Sequence, residues 1–500
     1  MGATLQLVIG GALTAAGWLV TRYSAGAPLR RPAALLLDAV WPALGFALVL
    51  AVMARPVLGG IAILALAAGL FLADRTKRDA LREPVVFSDM DEFFQLFRHP
   101  QLYLPFAGTG LVIGGALAAL AALVALIALE PTVWPWSPWP GLLALGAVVA
   151  LGWTLMHPLL ARAAAALRRF DFSGDPARDA AAVGLLLMLF SHGMIARDER
   201  ASRRARVAPP VGTPRPAAGP REPIVLVQSE SFFDARRLHA DVPRDLLPTF
   251  DACCATAVQR GLLSVPGWGA NTMRTEFAVL SGLSDVALGF DRFNPYHAFA
   301  RRPVASLAWQ LRARGYRTVC VHPFDRRFFR RDIAMPNLGF DAFLGPESFV
   351  GAARNGLYVT DEAVAQRIIA LLGSEGPNLF VFAITMENHG PWNGAPSGGE
   401  PGRRVLAMAA PDAALRQYLD GLRNADRMLA LLRHALATER PGLLGFYGDH
   451  LPSLPTVFDA LGFTDPRTDY FLWHPAGGTR AERDIAAHDL PSTVLARLER

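Results

Sequence analysis

The strongest constraint on this chain is a series of apolar runs near its start, at about residues 5–20, 33–53, 57–73, 103–129 and 141–161. Each approaches the roughly 20 residues that carry a helix across a bilayer, where every backbone polar group has to be satisfied within the segment. The runs predict an N-terminal bundle of about five transmembrane helices over residues 1–163. The first run has neither a basic start nor a clear cleavage site, and four more follow it, which argues against a removed signal peptide. Trp134, Trp136 and Trp139 fall between the fourth and fifth runs, and indoles favour the membrane interface.

Charge orients this bundle ambiguously. Arg22, Arg30 and Arg31 lie between the first two runs, and Arg75, Lys77, Arg78, Arg82 and Arg98 between the third and fourth. The positive-inside rule holds both loops in the cytoplasm, and five spans then leave the rest of the chain there too. A sixth span at 180–196 would reverse this, but Ser191 and His192 interrupt it, so the segment reads as an interfacial helix. A net charge of +6 and a pI near 9.6 suit anionic lipid, and with no nucleic-acid-binding module in the sequence, lipid is the expected partner.

With 52% hydrophobic residues and a mean hydropathy of +0.27, the chain is too apolar for a purely soluble enzyme, yet the excess is concentrated toward the N-terminus. Residues 164–221 read as a juxtamembrane segment and linker, marked by Pro209, Pro210, Pro214, Pro216 and Pro220. Residues 222–500 carry strand candidates at 224–227, 317–321, 379–384 and 443–447. Helical patterns separate them, including a stripe of Leu415, Leu419, Leu422, Leu429, Leu432 and Leu436. Such alternation predicts an α/β domain with a mostly parallel sheet covered by helices on both faces. Cys253, Cys254 and Cys320 supply no disulfide framework, and neither of the first two opens the Cys-x-Pro/Ala-x-Arg pattern of formylglycine sulfatases.

In open α/β sheets, ligands gather beyond the carboxyl ends of the strands. The four strand candidates end in Gln228-Ser229-Glu230, His322-Pro323, Met386-Glu387-Asn388-His389 and Gly448-Asp449-His450. Glu230, Asp449 and His450 offer an O/O/N set for Mn²⁺, Mg²⁺ or Zn²⁺, with Thr272 as a further ligand. Thr272 follows Gly267 and Gly269 and precedes Phe277, Leu280 and Leu283, whose spacing places it at a helix start. There a hydroxyl lies near unpaired backbone N–H groups, and metal coordination would make it a nucleophile. The plainer alternative is an Asn271 or Thr272 cap with Glu276 in the first turn.

Arg326, Arg327, Arg330 and Arg331 flank Phe328 and Phe329, and Arg331 is the candidate for a fork onto phosphate, against the alternative of a solvated face. Arg274 lies two residues beyond Thr272 and is expected to point away from it. His389 is a candidate for holding substrate or moving a proton. His239, His297, His434, His474 and His488 read as structural or exposed.

The ordered set Ser229-Glu230-Ser231-Phe232, Thr272-x-x-x-Glu276-Phe277, Phe328-Phe329-Arg330-Arg331, Asn388-His389-Gly390-Pro391 and Tyr447-Gly448-Asp449-His450 resembles the lipoteichoic acid synthase type of phosphoglycerol transferase, in the alkaline phosphatase and sulfatase superfamily. That superfamily branch also includes bacterial enzymes that decorate periplasmic glucans. The resemblance implies a sulfatase-like domain at 222–500, metal ligands Glu230, Thr272, Asp449 and His450, and Thr272 as nucleophile. It further implies Arg331, His389 and Phe329 at the substrate, Mn²⁺ as the usual metal, and a catalytic domain outside the cytoplasmic membrane. Phe329 stands where the family commonly has Trp, Arg274 where an Asp can occur, and Phe324-Asp325 where an acidic substrate contact is often placed.

The resulting expectation is transfer of phosphoglycerol from an anionic phospholipid to a glycan or glycolipid acceptor. The alternatives are a phosphoethanolamine transferase, a sulfatase or phosphodiesterase-type hydrolase, and, from another class, a non-catalytic membrane scaffold or sensor.

Overall fold

The computed structural model describes residues 2–90, 98, 108–135, 137–207, 221–392, 413–478 and 480–498. Trp136 and the linker prolines Pro209 to Pro220 lie outside these residues. The chain divides into two compact units, Met1–Ala201 and Ser202–Arg500.

In the first unit, four helices among the described residues are long and apolar enough to cross a membrane: α1 (Ala3–Ala25), α2 (Pro32–Met53), α3 (Pro56–Leu81) and α4 (Thr109–Leu129). The fifth expected span falls in α5 (Pro138–Leu167), whose apolar described stretch is the shorter Trp139–Leu151. α1 and α3 pack backbone to backbone, since a Cβ on Gly60 would lie 2.4 Å from the Gly10 carbonyl oxygen. Small residues permit this approach, which is how helices gain contact where no hydrophobic effect drives them together.

Polar contacts fix which helix ends share a face. Glu130, at the end of α4, accepts from the backbone N–H groups of Val57 and Leu58 at the start of α3, both at 2.8 Å, and Gln6 of α1 donates to the Pro131 carbonyl. On the opposite face Arg22, late in α1, pairs with Asp38 of α2 at 2.9 Å and reaches the Val183 carbonyl beyond α5. The helices therefore alternate in direction, and the segment after α5 emerges on the face opposite the N-terminus. The basic loops share that face, but their charge is partly cancelled. Arg22 is neutralised by buried Asp38, Arg78 by Asp74, and Lys77 by Glu83 and Asp89. Residues 180–196 form no sixth span: the helices Pro176–Val183 and Leu185–Arg206 meet at Gly184, and His192 pairs with Asp179 at 2.9 Å.

The second unit is built on strands β1 (Ile224–Ser229), β2 (Gln259–Ser264), β3 (Arg317–Val321), β4 (Ala342–Leu344), β5 (Arg354–Asn355), β6 (Tyr358–Val359), β7 (Leu379–Ile384), β8 (Leu443–Gly448), β9 (Thr468–Trp473), β10 (Ala481–Glu482) and β11 (Ile485–Ala486). The main sheet runs β10-β2-β9-β8-β1-β7-β3-β4, with β11 also on β2. Strands β8, β1, β7, β3 and β4 are mutually parallel, and β9 is antiparallel to both its neighbours. Every residue of β1, β7 and β8 is buried, as expected where helices cover both faces. Val225 and Val227 face one core and Ile224 and Leu226 the other. The predicted leucine stripe is fully buried along the helix Ala413–His434 and its short continuation.

Candidate active site

Register places the acidic groups. β1 and β8 pair in parallel with Ser229 opposite Gly448, so Glu230 and Asp449 leave the sheet side by side. Gly448 is required for this approach: a Cβ there would lie 1.7 Å from the Phe232 carbonyl oxygen. Ser231, held at φ 54°, ties the two carboxylates together. Its N–H donates to Asp449 Oδ1 at 2.8 Å and its hydroxyl to Glu230 Oε1 at 2.9 Å. The backbone N–H of Glu230 in turn donates to Thr385 Oγ1 beyond β7.

His450 completes the group. Its Nδ1 lies 2.8 Å from the Leu451 carbonyl oxygen and must donate to it, which leaves Nε2 with a bare lone pair in the neutral ring. That Nε2 is 3.2 Å from Asp449 Oδ2 and 3.6 Å from Glu230 Oε1. Ligand atoms of Glu230, Asp449 and His450 all lie within 4.8 Å of one another, and all three residues are buried. Glu230 Oε2 and Asp449 Oδ2 have no hydrogen-bond donor among the described residues. Burial, and then the charge of Asp449, push the Glu230 carboxyl up to about 8. Lone pairs converging in a buried space without donors form an arrangement that a divalent cation relieves, and the O/O/N donor set fits one.

Thr272 opens the helix Thr272–Ser281 as expected, and its Oγ1 lies 3.3 Å from His450 Nε2. The capping alternative fails in this structure. Asn271 sits at φ 68° with no side-chain cap bond, and Glu276 is committed elsewhere. Thr275 donates to the Asp449 carbonyl at 2.7 Å, fastening this helix to the end of β8. Arg274 turns away from Thr272, donating to the Phe293 carbonyl and lying over the Phe293 ring.

Arg331 forms a buried frame behind these groups. Its Nη2 donates to Glu276 Oε2 at 2.8 Å and its Nε to both Glu276 oxygens, while Nη1 donates to His322 Nε2 at 3.2 Å. The fork expected to face phosphate is therefore closed on a carboxylate. Tyr296 adds a hydroxyl donor to Glu276. His322 bonds the Ile384 carbonyl through Nδ1, and burial with the Arg331 charge holds its imidazole well below the usual range. Phe329 lies against Arg331, 5.2 Å from the guanidinium carbon, and both Phe329 and Arg330 have positive φ. The other arginines of this run serve local pairs, Arg326 with Glu347 and Arg327 with Asp325.

His389 is half-buried after β7, its Nδ1 2.6 Å from the Gly390 carbonyl oxygen and 3.3 Å from the Tyr358 hydroxyl. Burial lowers its pKa, so it is a neutral ring with Nε2 as acceptor. Burial, and then the Glu230 charge, push the Tyr358 hydroxyl upward.

The family description "Sulfatase" matches residues 223–499, more than half of the chain. The chain belongs to the sulfatase family. Among curated relatives of this sulfatase-family chain, the capsular polysaccharide biosynthesis protein RkpI of Rhizobium meliloti (strain 1021) is 33% identical over 430 residues, 80% of this chain and 73% of that protein. A putative cyclic beta-1,2-glucan modification protein of the same organism is 30% identical over 247 residues, 48% of this chain and 37% of that protein. The phosphoethanolamine transferase EptA of Neisseria meningitidis, an integral membrane protein, shares the fold with TM-score 0.56 at 15% identity, over 98% of this chain and 94% of that one. The protein is thus a multi-pass membrane member of the sulfatase family, with a buried Glu/Asp/His set suited to a divalent metal.

Sequence reasoning reached Glu230, Thr272, Asp449 and His450, which converge, and Arg331 with Phe329, which form the adjoining frame. It assigned no role to Ser231, Thr385, Tyr296 or His322. Of these, His322 and Thr385 carried a usable signal, each standing directly after a strand, and Ser231 stood within the Ser229-Glu230-Ser231-Phe232 motif.

Proposed function

We propose that the protein transfers a phosphoglycerol head group from phosphatidylglycerol to a glycan or glycolipid acceptor through a covalent ester on Thr272. Residues 1–163 form the membrane domain, 164–221 the juxtamembrane linker and 222–500 the catalytic domain. The observation that carries this is Thr272 Oγ1 at a helix start with no side-chain cap bond, 3.3 Å from His450 Nε2, which itself lies 3.2 Å from Asp449 and 3.6 Å from Glu230.

Glu230, Thr272, Asp449 and His450 would hold the metal, with Mn²⁺ favoured over Mg²⁺ or Zn²⁺. When bound, such a cation lowers the pKa of a coordinated hydroxyl and offsets phosphoryl charge. Thr272 releases its proton to solvent and forms the Oγ–P bond as the P–O bond to diacylglycerol breaks, and the departing oxygen takes a proton from water. In the second half the acceptor hydroxyl gives its proton to His389 Nε2 and bonds phosphorus as the Thr272 ester breaks. Thr272 then regains a proton. Phe329 supplies an apolar wall, and Arg331 sets positive charge behind the phosphate while holding Glu276. The uncharged hydrogen-bonding groups of His389 and Tyr358 suit the hydroxyls of glycerol.

The names of the relatives support a glycan acceptor, and the membrane half keeps the domain near its lipid donor. The reading places the protein in the inner membrane, N-terminus inside and catalytic domain toward the periplasm or exterior. Partial neutralisation of the basic loops by Asp38, Asp74, Glu83 and Asp89 weakens the contrary charge argument. A mixture of head-group-labelled phosphatidylglycerol and phosphatidylethanolamine tests the donor: glycerol phosphate on the glycan is the expected product. Ethanolamine phosphate would indicate the other transferase, and head group freed without any acceptor would indicate a hydrolase.

A further inference from the structure

The membrane half contains a cavity of about 690 Å³ that the transfer reaction does not use. Its lining includes Arg30 and Arg31, from the α1–α2 connection, and Arg169 and Arg178, from the segment after α5. Pro32, Ala33, Ala34, Ala182 and Val183 add apolar surface to the same lining. Two acids share the lining. Asp179 accepts from the Ser173 N–H and hydroxyl, from the Gly174 N–H and from His192, so its charge is directed inward. Asp171 is the second. Arg178 is partly offset by Asp175 at 3.7 Å, whereas Arg30, Arg31 and Arg169 have no carboxylate within ion-pair distance among the described residues.

We infer that this cavity holds the phosphate of an anionic phospholipid, at a site distinct from the metal centre. Two observations select a lipid over a free phosphate. The cavity lies where α2 begins and α5 ends, at the depth of lipid head groups for helices that span a bilayer. From the lining residue Ala33, an apolar stripe continues down α2: Ala33 is followed at helical spacing by Leu37, Val40, Leu44 and Leu48, all exposed large hydrophobics after the alanine. A phosphate held by the guanidinium groups of the lining thus has its acyl chain carried along α2, a pairing that an inorganic anion does not exploit.

The proposal concerns the first unit alone and is read by lipid retention, so it stands or falls independently of the transfer chemistry. The full-length protein is reconstituted in nanodiscs of equal phosphatidylglycerol and phosphatidylcholine and extracted in detergent, and its bound lipid is counted by native mass spectrometry. Retention of phosphatidylglycerol over phosphatidylcholine is expected, falling about fivefold for each arginine lost in Arg30→Gln, Arg31→Gln and Arg169→Gln. Ala33→Trp, which adds an indole to the apolar lining and leaves every charge in place, is expected to lose the lipid as well. Arg75→Gln with Arg82→Gln, in the last turns and at the C-terminal cap of α3, should retain it. The inference is overturned if Ala33→Trp keeps the lipid at the wild-type level, or if the loop pair loses as much as Arg30→Gln with Arg31→Gln, since diffuse surface charge would then suffice. It is also overturned if excess inorganic phosphate displaces the lipid, or if the wild type shows no head-group preference.

Discussion

Arg331 and Glu276 form an ion pair that is almost wholly removed from solvent, with side-chain exposures of 1% and 0% and a shortest N–O distance of 2.8 Å. It joins the helix headed by Thr272 to the segment after β3, so the position of the candidate nucleophile depends on a charge pair behind it. Removing one partner strands the other charge in a buried space, a loss of about 3–5 kcal/mol in comparable cases. Glu276→Ala should therefore lower the apparent melting temperature of the full-length protein sharply and abolish transfer. Arg331→Lys should also fail, because an ammonium cannot reproduce the bidentate fork. Melting followed by tryptophan fluorescence, alongside turnover, checks both.

Ser231 holds Glu230 and Asp449 in place without being a ligand itself. Ser231→Ala removes the 2.9 Å bond to Glu230 Oε1 and leaves the backbone bond to Asp449. Loss of such an outer partner typically costs about 10–100-fold in metal affinity. The expected result is weaker Mn²⁺ binding by calorimetry in a protein of nearly unchanged melting temperature.

Gly448→Ala tests the close approach of β8 to the turn after β1. The added methyl would overlap the Phe232 carbonyl, so the two strand ends must separate and Asp449 must leave Ser231. Metal binding should be lost even where the fold survives. Retained affinity with a normal circular dichroism spectrum would contradict the register argument.

Acid should destabilise the domain in a defined window. His322 and His389 are both held below the usual histidine pKa in the folded protein, chiefly by burial. Above about pH 6.5 both states are neutral and their contribution is fully present. As pH falls below that value, the unfolded imidazoles take protons the folded ones refuse, and stability is lost progressively toward the folded pKa values. His322→Gln should flatten part of this slope in melting temperatures measured between pH 7 and pH 5 at constant ionic strength, as linkage requires.

The parts of this molecule that were legible in the sequence are those set by local pattern. Strands β3 and β7 coincide with apolar runs bounded by turns, and Glu230, Asp449, His450 and His389 could be placed because each follows such a run. Strands β2 and β9 escaped notice. β2 reads Gln-Arg-Gly before any apolar residue, and β9 is antiparallel to its neighbours and so carries no alternating-helix signature. The partner of Arg331 was illegible for a different reason. An arginine run looks the same whether it faces water, phosphate or a carboxylate contributed by a helix 55 residues earlier, and only the packed structure shows Glu276 closing the fork. The capping alternative at Thr272 likewise turned on the backbone of Asn271: asparagine is both a common N-cap and a residue that tolerates the left-handed conformation adopted here, and residue type alone does not choose between the two.

The most direct test is mass spectrometry of the Thr272-containing peptide after the full-length protein is incubated with phosphatidylglycerol and Mn²⁺, without acceptor, and quenched in acid. A glycerol phosphate ester on Thr272, absent from Thr272→Ala and discharged when glycan is added, is the expected result. Turnover with no adduct at Thr272, or undiminished transfer by Thr272→Ala, would contradict the covalent route.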